Sequence, residues 1–147
     1  MDEQHTIGRE VRCEGRGLHG GRPAALVVEP APADTGRVYV RRDLGDRVVP
    51  ARASAIASLE RATSLGCGEA SVATVEHLLA ALYAFGIDNA RLVLDGPEVP
   101  VLDGSAAPFV ALLREAGRVV QRVPRARLRV SRAVALEDGE RWIRARP

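Results

Sequence analysis

Residues 74–86, TVEHLLAALYAFG, carry the clearest periodic pattern in the chain and decide how the rest of it is interpreted. Apolar side chains recur there at the spacing of one helix face: Val75, Leu78, Leu79, Leu82 and Phe85. Thr74 is a candidate N-cap, and Gly86 stands where a C-terminal glycine belongs. The pattern predicts a helix with one buried stripe.

The residues before this helix read as short strands that Gly and Pro interrupt. Segments rich in Val or in alternating apolar residues cover residues 6–13, 23–28, 37–42 and 48–56. The short connections GLHGG and PAPADTG favour antiparallel pairing. Residues 61–72 are small and Gly-rich, and they predict a loop or a hairpin that leads into the helix.

A second helix follows, and then the texture of the sequence changes. Residues 91–94 read as a short strand, and the turn-rich loop DGPEVPVLDGS leads to Ser105, which is predicted to cap a helix that ends at Gly117. Pro108 is tolerated in the first turn of that helix. After Pro124, Arg alternates with apolar residues in RARLRVSRAVAL, EDGE supplies a turn, and RWIRARP begins a return strand.

These elements predict an α+β fold, a two-layer sandwich in which a mainly antiparallel sheet packs against two helices. We assign residues 1–124 to this domain. Residues 125–147 are predicted to be the opening strands of an incomplete second domain of similar kind, because a two-stranded remnant buries little apolar surface by itself.

Composition narrows the classes of function. The chain has 147 residues, 46% of them apolar and only 3% aromatic, so we expect a real core but no base-stacking nucleic-acid module. Residues 118–147 contain nine Arg against three acidic residues. This excess indicates either a patch for an anionic partner such as a nucleotide sugar or a strand pair with a solvated Arg face.

The expected location is the cytoplasm. Cys13 and Cys67 show neither CxxC spacing nor the density of a disulfide scaffold, which is typical of reduced thiols. The sequence shows neither a signal-peptide pattern nor an apolar run near the ~20 residues of a membrane span. We therefore expect a soluble protein.

Three histidines are the candidates for metal binding and for acid–base chemistry. His5 lies in a polar leader and is expected to be an ordinary exposed residue. His19 sits in the GLHGG turn, where a structural role is favoured over a catalytic one. His77 differs from both, because it follows Glu76 in the first turn of the predicted helix.

The start of a helix prepares Glu76 and His77 for hydrolytic chemistry. The partial positive charge at the helix N-terminus disfavours the imidazolium form, so His77 is expected to keep a lone pair that can bind a metal. The same charge favours the ionised form of Glu76. The alternative is that Glu76 is only a favourable first-turn acid and His77 a surface residue. A catalytic zinc needs three protein ligands, but no HExxH or HxxxD spacing is present and no histidine follows His77.

The strings GLHGG, PAPADTG, TVEHLLAAL, FGIDNA and DGPEVPVLDGSAAPF occur in this order. Together they closely resemble the first half of the UDP-3-O-acyl-N-acetylglucosamine deacetylases, the zinc-dependent enzymes of lipid A biosynthesis, and the resemblance covers residues 6–147. It implies two similar domains, each a sheet against helices, with the active site between them. It also implies hydrolysis of the N-acetyl group of UDP-3-O-(3-hydroxyacyl)-N-acetylglucosamine, with release of acetate.

By the same resemblance, His77 would be one of three Zn²⁺ ligands and Glu76 the general base that takes a proton from the attacking water. The family's other ligands, a His and an Asp in an HxxxD arrangement, belong to its second domain and have no counterpart here. The chain is therefore expected to need that carboxyl-terminal domain as a partner and to be inactive alone. The alternative is a half-length relative that acts as a non-catalytic binding or assembly domain and self-associates through an exposed edge near residues 126–147.

Overall fold

The computed structural model describes residues 3–147, and within them the chain forms twelve strands and two α-helices. The elements follow one another as β1 (Glu3–Ile7), β2 (Val11–Arg16), β3 (Pro23–Pro30), β4 (Arg37–Arg41), β5 (Arg47–Pro50), β6 (Ile56–Ser58), β7 (Ser64–Cys67), β8 (Ala70–Val72), α1 (Glu76–Phe85), β9 (Ala90–Leu94), α2 (Ala107–Ala116), β10 (Arg118–Pro124), β11 (Val134–Asp138) and β12 (Arg141–Ala145). Short 3₁₀ turns at Arg42–Leu44 and Ala53–Ala55 precede β5 and β6.

The central sheet has five strands in the order β2-β3-β9-β4-β5. Its neighbours are antiparallel except for β4 and β9, which run parallel. Smaller antiparallel sheets are formed by β6, β7 and β8, by β1 with β10, and by β11 with β12. The predicted α+β class with a mainly antiparallel arrangement is confirmed, and residues 61–72 do form a hairpin.

The core lies between the central sheet and the two helices. Alternate strand residues point into it because side chains on a strand alternate between its two faces. On the sheet side the buried residues include Leu26, Val28, Tyr39, Leu92 and Leu94, and on the helix side Leu78, Ala81, Leu82, Phe109 and Leu113. Burying one such Leu or Phe side chain contributes about 2 kcal/mol. Burial of this interface therefore makes a large favourable contribution to the free energy of folding.

The predicted C-terminal ends of both helices are confirmed, but neither Thr74 nor Ser105 occupies the predicted N-cap position. Gly86 and Gly117 end α1 and α2, each with a positive φ that glycine adopts without strain. Thr74 is not an N-cap: α1 begins at Glu76 with Val75 in the cap position, and the Thr74 hydroxyl donates elsewhere. In α2 the N-cap is Ala106, although the Ser105 hydroxyl does accept a hydrogen bond from the Ala107 N–H at 3.1 Å.

Two predicted strands are each divided in the structure. Residues 6–13 split into the end of β1 and the start of β2, because Gly8 lies against the end of α2, where its N–H donates to the Gly117 carbonyl at 3.1 Å. A Cβ on Gly8 would lie 2.9 Å from the Ala116 carbonyl oxygen, so the turn needs glycine there. Residues 48–56 split into β5, a 3₁₀ turn and the start of β6.

The last segment of the chain differs from the prediction in extent. The strand expected over residues 125–136 forms only from Val134, and it pairs with β12 in a regular antiparallel hairpin. Within the described residues this hairpin makes a two-stranded sheet of its own. The domain boundary at residue 124 stays a prediction. Among residues 3–147, no helix combines the length and hydropathy needed to span a membrane.

Candidate active site

Glu76 and His77, here called the Glu–His pair, are the first two residues of α1. Glu76 is exposed and His77 is half-buried. The residues on either side, Val75 and Leu78, are almost completely buried in the core. Apolar packing therefore supports the backbone on both sides of the pair, while the side chain of Glu76 stays at the surface.

The Glu76 carboxylate is held by the loop that precedes β7. The Thr63 N–H donates a hydrogen bond to Glu76 Oε1. Partial burial raises the pKa of Glu76, but the hydrogen bonds from Thr63 and from the first turn of the helix, with the nearby charge of His77, outweigh it and hold that pKa below its usual range. Glu76 is therefore ionised at neutral pH and can accept a proton.

A small apolar recess borders this loop. Its volume is about 180 Å³, and its lining includes Thr63, Leu65, Val75 and Leu79. Deeper in the core, Tyr39 is fully buried, and its hydroxyl has no hydrogen-bond partner among residues 3–147. Burial, and then the negative charge of Glu76, raise the pKa of Tyr39, so the phenol stays neutral.

A second carboxylate, Glu98, lies just in front of the helix start and is mostly buried. Its Oε1 accepts hydrogen bonds from the His19 N–H and the Thr74 hydroxyl, and its Oε2 accepts one from the Gly20 N–H, each at 2.9 Å. Burial raises its pKa, but these bonds outweigh burial and lower the pKa below the usual value. Glu98 thereby joins the GLHGG turn to Thr74, two residues before the first residue of α1.

A third carboxylate, Asp103, is exposed at the end of the same loop. Ser105 donates to Asp103 Oδ1 through its N–H and its hydroxyl, each at 2.8 Å. These bonds, and to a smaller extent the charge of His77, lower the pKa of Asp103. Asp103 therefore lies close enough to His77 to interact with it electrostatically.

The remaining candidate ligands lie apart from the pair. The expectation that His5 is exposed is wrong: its side chain is 12% exposed, and its Nδ1 lies 4.0 Å from Asp88 Oδ2, beyond the C-terminal end of α1. Burial raises the pKa of Cys13 to about 11, so its thiol stays protonated. Cys67 is exposed in the β7–β8 hairpin. Among residues 3–147, no group of three or more His, Cys, Asp or Glu side chains is placed to hold a metal ion.

The sequence predicts a role for the Glu–His pair and a turn at GLHGG, but its local patterns indicate no role for Glu98 or Asp103. The structure brings all of these to the N-terminal end of α1. A detectable signal was present, because Glu98 and Asp103 are acidic residues in a loop rich in Gly and Pro, where polar side chains often hold turns. That signal does not identify the partners of either carboxylate.

Comparisons with known proteins agree with one family. The family model described as UDP-3-O-acyl N-acetylglycosamine deacetylase matches residues 4–147. A UDP-3-O-acyl-N-acetylglucosamine deacetylase of Anaeromyxobacter sp. is 50% identical over 144 residues, which are 98% of this chain and 47% of the relative. Proteins of the same name from Citrifermentans bemidjiense and Wolinella succinogenes are 47% and 42% identical, over 94% and 99% of this chain and 46% and 48% of their own lengths. The chain spans about half the length of the curated relatives it matches.

Proposed function

Because the chain belongs to the UDP-3-O-acyl N-acetylglycosamine deacetylase family, we propose that it supplies the general base and one metal ligand for hydrolysis of the N-acetyl group of UDP-3-O-(3-hydroxyacyl)-N-acetylglucosamine. The observation that carries the proposal is the Glu–His pair at the start of α1, where Glu76 is exposed and its lowered pKa keeps it ionised. Acetate and the free amine are the products of this reaction.

The residues present fit part of a zinc site. A neutral imidazole is a good Zn²⁺ ligand, and His77 is half-buried in the first turn of α1. One imidazole cannot hold the metal alone, and residues 3–147 contain no cluster of three donors. We therefore propose that His77 is one ligand and that the other ligands come from the part of the family's length that this chain does not span.

Zn²⁺, when bound, supplies a Lewis acid that polarises the amide carbonyl and makes water more acidic. The chain's own contribution is proton transfer by Glu76. Thr63 binds Oε1, so Oε2 is the oxygen that would accept a proton from the water as it attacks the carbonyl carbon. The same carboxylic acid can then return the proton to the leaving nitrogen as the C–N bond breaks, which restores the carboxylate.

A chimeric enzyme tests these roles. The 147 residues would replace the matching half of the Anaeromyxobacter sp. relative, and acetate release and zinc content would be measured together. We expect Glu76→Gln to lower kcat by roughly 10²- to 10⁴-fold with zinc retained, because general base catalysis is worth about that much. We expect His77→Ala to lower the zinc content as well.

Glu69→Gln is the matched control, because Glu69 is an exposed glutamate in the β7–β8 hairpin and should change neither quantity. If the chimera lacking His77 binds zinc as tightly as the parent chimera does, the assignment of His77 is wrong. If Glu76→Gln retains full activity, the base is another residue.

A second candidate function, a non-catalytic binding or assembly domain, is favoured by the hairpin of β11 and β12. Leu136 and Ile143 are directly paired on one face of it and are 69% and 68% exposed, and Val134 on the same face is 56% exposed. Self-association through this apolar face would bury it. Light scattering should then show a dimer that Leu136→Glu converts to a monomer, whereas a monomeric parent chain would exclude this function.

We also propose a cytoplasmic location. Its support is that both cysteines, Cys13 and Cys67, are unpaired thiols, as expected in a reducing compartment.

A further inference from the structure

Glu98 has no part in the proposed proton transfer, yet it is the acidic residue that the structure buries most fully, with 8% of its surface exposed among residues 3–147. Burying a carboxylate costs free energy unless the carboxylate is hydrogen-bonded, so the residues around Glu98 must supply hydrogen-bond donors. We propose that Glu98 is a positioning residue: its hydrogen bonds join the GLHGG turn, which carries His19, to Thr74, two residues before α1 begins. We call this set of hydrogen bonds the lock. The inference rests on the proposed function, because what it positions is the Glu–His pair.

The three donors to Glu98 come from two separate parts of the chain. His19 and Gly20 are 79 and 78 residues away in sequence, and Thr74 is 24 residues away. A carboxylate can accept about four hydrogen bonds, so a single side chain is able to join the segments. Removing it would separate the turn from the helix start without touching either directly.

The glycines of the turn provide independent evidence. A Cβ on Gly17 would lie 2.2 Å from Glu98 Oε2 and 2.7 Å from Glu98 Cδ, and a Cβ on Gly20 would lie 3.1 Å from Oε2. Gly17 is not among the residues with positive φ, so its backbone does not demand glycine. A Cβ at this position would instead displace the Glu98 carboxylate from its hydrogen bonds, so the turn and this side chain fit closely together.

Thr74 provides a third line of evidence. Its φ is +59°, which a β-branched residue adopts only when its surroundings impose it. Besides the hydrogen bond to Glu98, the adjacent backbone is held by the Ala73 N–H donating to the Pro97 carbonyl at 2.8 Å and by the Val99 N–H donating to the Ala73 carbonyl at 3.2 Å. Thr74 lies two residues before Glu76, so its backbone conformation determines the direction in which α1 begins. By holding Thr74, the lock therefore helps to orient the first turn of the helix.

Displacing a catalytic group by about 1 Å can cost about 100-fold in rate, which is why a positioning residue matters here. Loss of the lock should therefore lower kcat more than it changes KM or the zinc content. A residue that serves only global stability would instead reduce the amount of folded protein and leave the kcat of the folded fraction unchanged.

Amide hydrogen exchange in the 147-residue chain tests the lock itself. Glu98→Ala should speed exchange at the His19 and Gly20 amides roughly tenfold or more, as expected for the loss of hydrogen bonds to a charged acceptor. Gly17→Ala should do the same, because its Cβ displaces the carboxylate. In the Gly17→Ala, Glu98→Ala double variant, these amides should exchange no faster than in Glu98→Ala alone. The carboxylate is then absent, and only the Cβ at position 98 remains near the new Cβ at position 17, at 3.2 Å. Additive effects in this cycle would overturn the inference.

Kinetics of the chimera separate this inference from the proposed function. Thr74→Val keeps the side-chain shape but removes the hydroxyl donor, and it should lower kcat roughly tenfold to 100-fold with KM within about threefold. Thr74→Ser keeps the donor and should restore the rate. Full activity of Thr74→Val and Glu98→Gln in a chimera that Glu76→Gln inactivates would refute the positioning role alone, whereas full activity of Glu76→Gln would refute the proposed function.

Discussion

Replacing Asn89 by Asp changes one NH₂ group to an oxygen, and we expect this change to destabilise the domain more than complete truncation to Ala does. Asn89 is 1% exposed in the connection from α1 to β9. Its Oδ1 accepts from the Gly36 N–H at 2.7 Å, and its Nδ2 donates to Gln4 Oε1 at 2.8 Å and to Gln121 Oε1 at 2.7 Å. All three partners belong to other segments of the chain.

The size of the effect follows from these contacts. The amide of Gln4 cannot turn over, because its Nε2 already donates to Asp34 Oδ1 at 2.7 Å, and that of Gln121 donates to the Ala31 carbonyl at 2.8 Å. The new oxygen would thus face two acceptor oxygens. Two lost hydrogen bonds and a buried, unpaired charge sum to about 4 kcal/mol or more at pH 7, a large share of the 5–15 kcal/mol of a typical domain.

Urea unfolding followed by far-UV circular dichroism measures this cost. We expect Asn89→Ala to lose about 3 kcal/mol, because the Gly36 N–H and Gln121 Oε1 lose their partner. The pKa of the introduced Asp would be raised by burial. Its penalty should therefore grow as the pH rises above the unfolded pKa of about 3.9 and shrink on acidification.

Ser54→Asp, which adds the same charge at an exposed position, is the control and should stay within about 0.5 kcal/mol of the parent chain. If Asn89→Asp is no less stable than Asn89→Ala at pH 7, the assignment of donors and acceptors around this side chain is wrong.

Two further predictions concern other buried polar groups. Tyr39→Phe should stabilise the chain by about 1 kcal/mol in the same urea experiment, because it removes a buried hydroxyl that has no partner among residues 3–147; a loss of stability would show that the hydroxyl is hydrogen-bonded. Asp43→Asn should cost about 2 kcal/mol at pH 7, because Asp43 pairs through both oxygens, each at 2.8 Å, with Arg41, whose side chain is only 7% exposed. Hydrogen bonding to Arg41 lowers the pKa of Asp43, so this cost should be complete above the unfolded pKa of about 3.9 and disappear as the pH falls through the folded value; a cost independent of pH would refute it.

Elements that are determined by residues close together in the chain could be predicted from the sequence. The apolar stripe of residues 75–85 and the glycine after it predict α1 because both act within a few turns of one helix. The division between β1 and β2 could not be predicted in this way, since it arises where Gly8 meets the end of α2, more than 100 residues later in the chain. Strand β10 was missed for a similar reason, because its partner is β1 at the opposite end of the described chain.

The same distinction applies to the candidate site. Glu76 and His77 are adjacent, so their position at a helix start was visible in the sequence. Glu98 was not recognised, because none of its three hydrogen-bond donors lies within 20 residues of it. The role proposed for Thr74 was wrong for the related reason that its hydroxyl has a distant carboxylate to bind, which competes with the capping of its own helix.

Helix α1 is fixed differently at its two ends, and this difference bears on the candidate site at its N-terminal end. At the C-terminal end, Arg118 donates to the Phe85 carbonyl at 3.4 Å and Arg125 to the Gly86 carbonyl at 3.1 Å, so two guanidinium groups face the negative end of the helix dipole. That end is anchored by structural contacts. The N-terminal end, about 15 Å away along a ten-residue helix, is where the carboxylates gather. Because these contacts hold the C-terminal end of α1, we expect a small change at Glu98 to shift the Glu–His pair at the N-terminal end without unfolding the core.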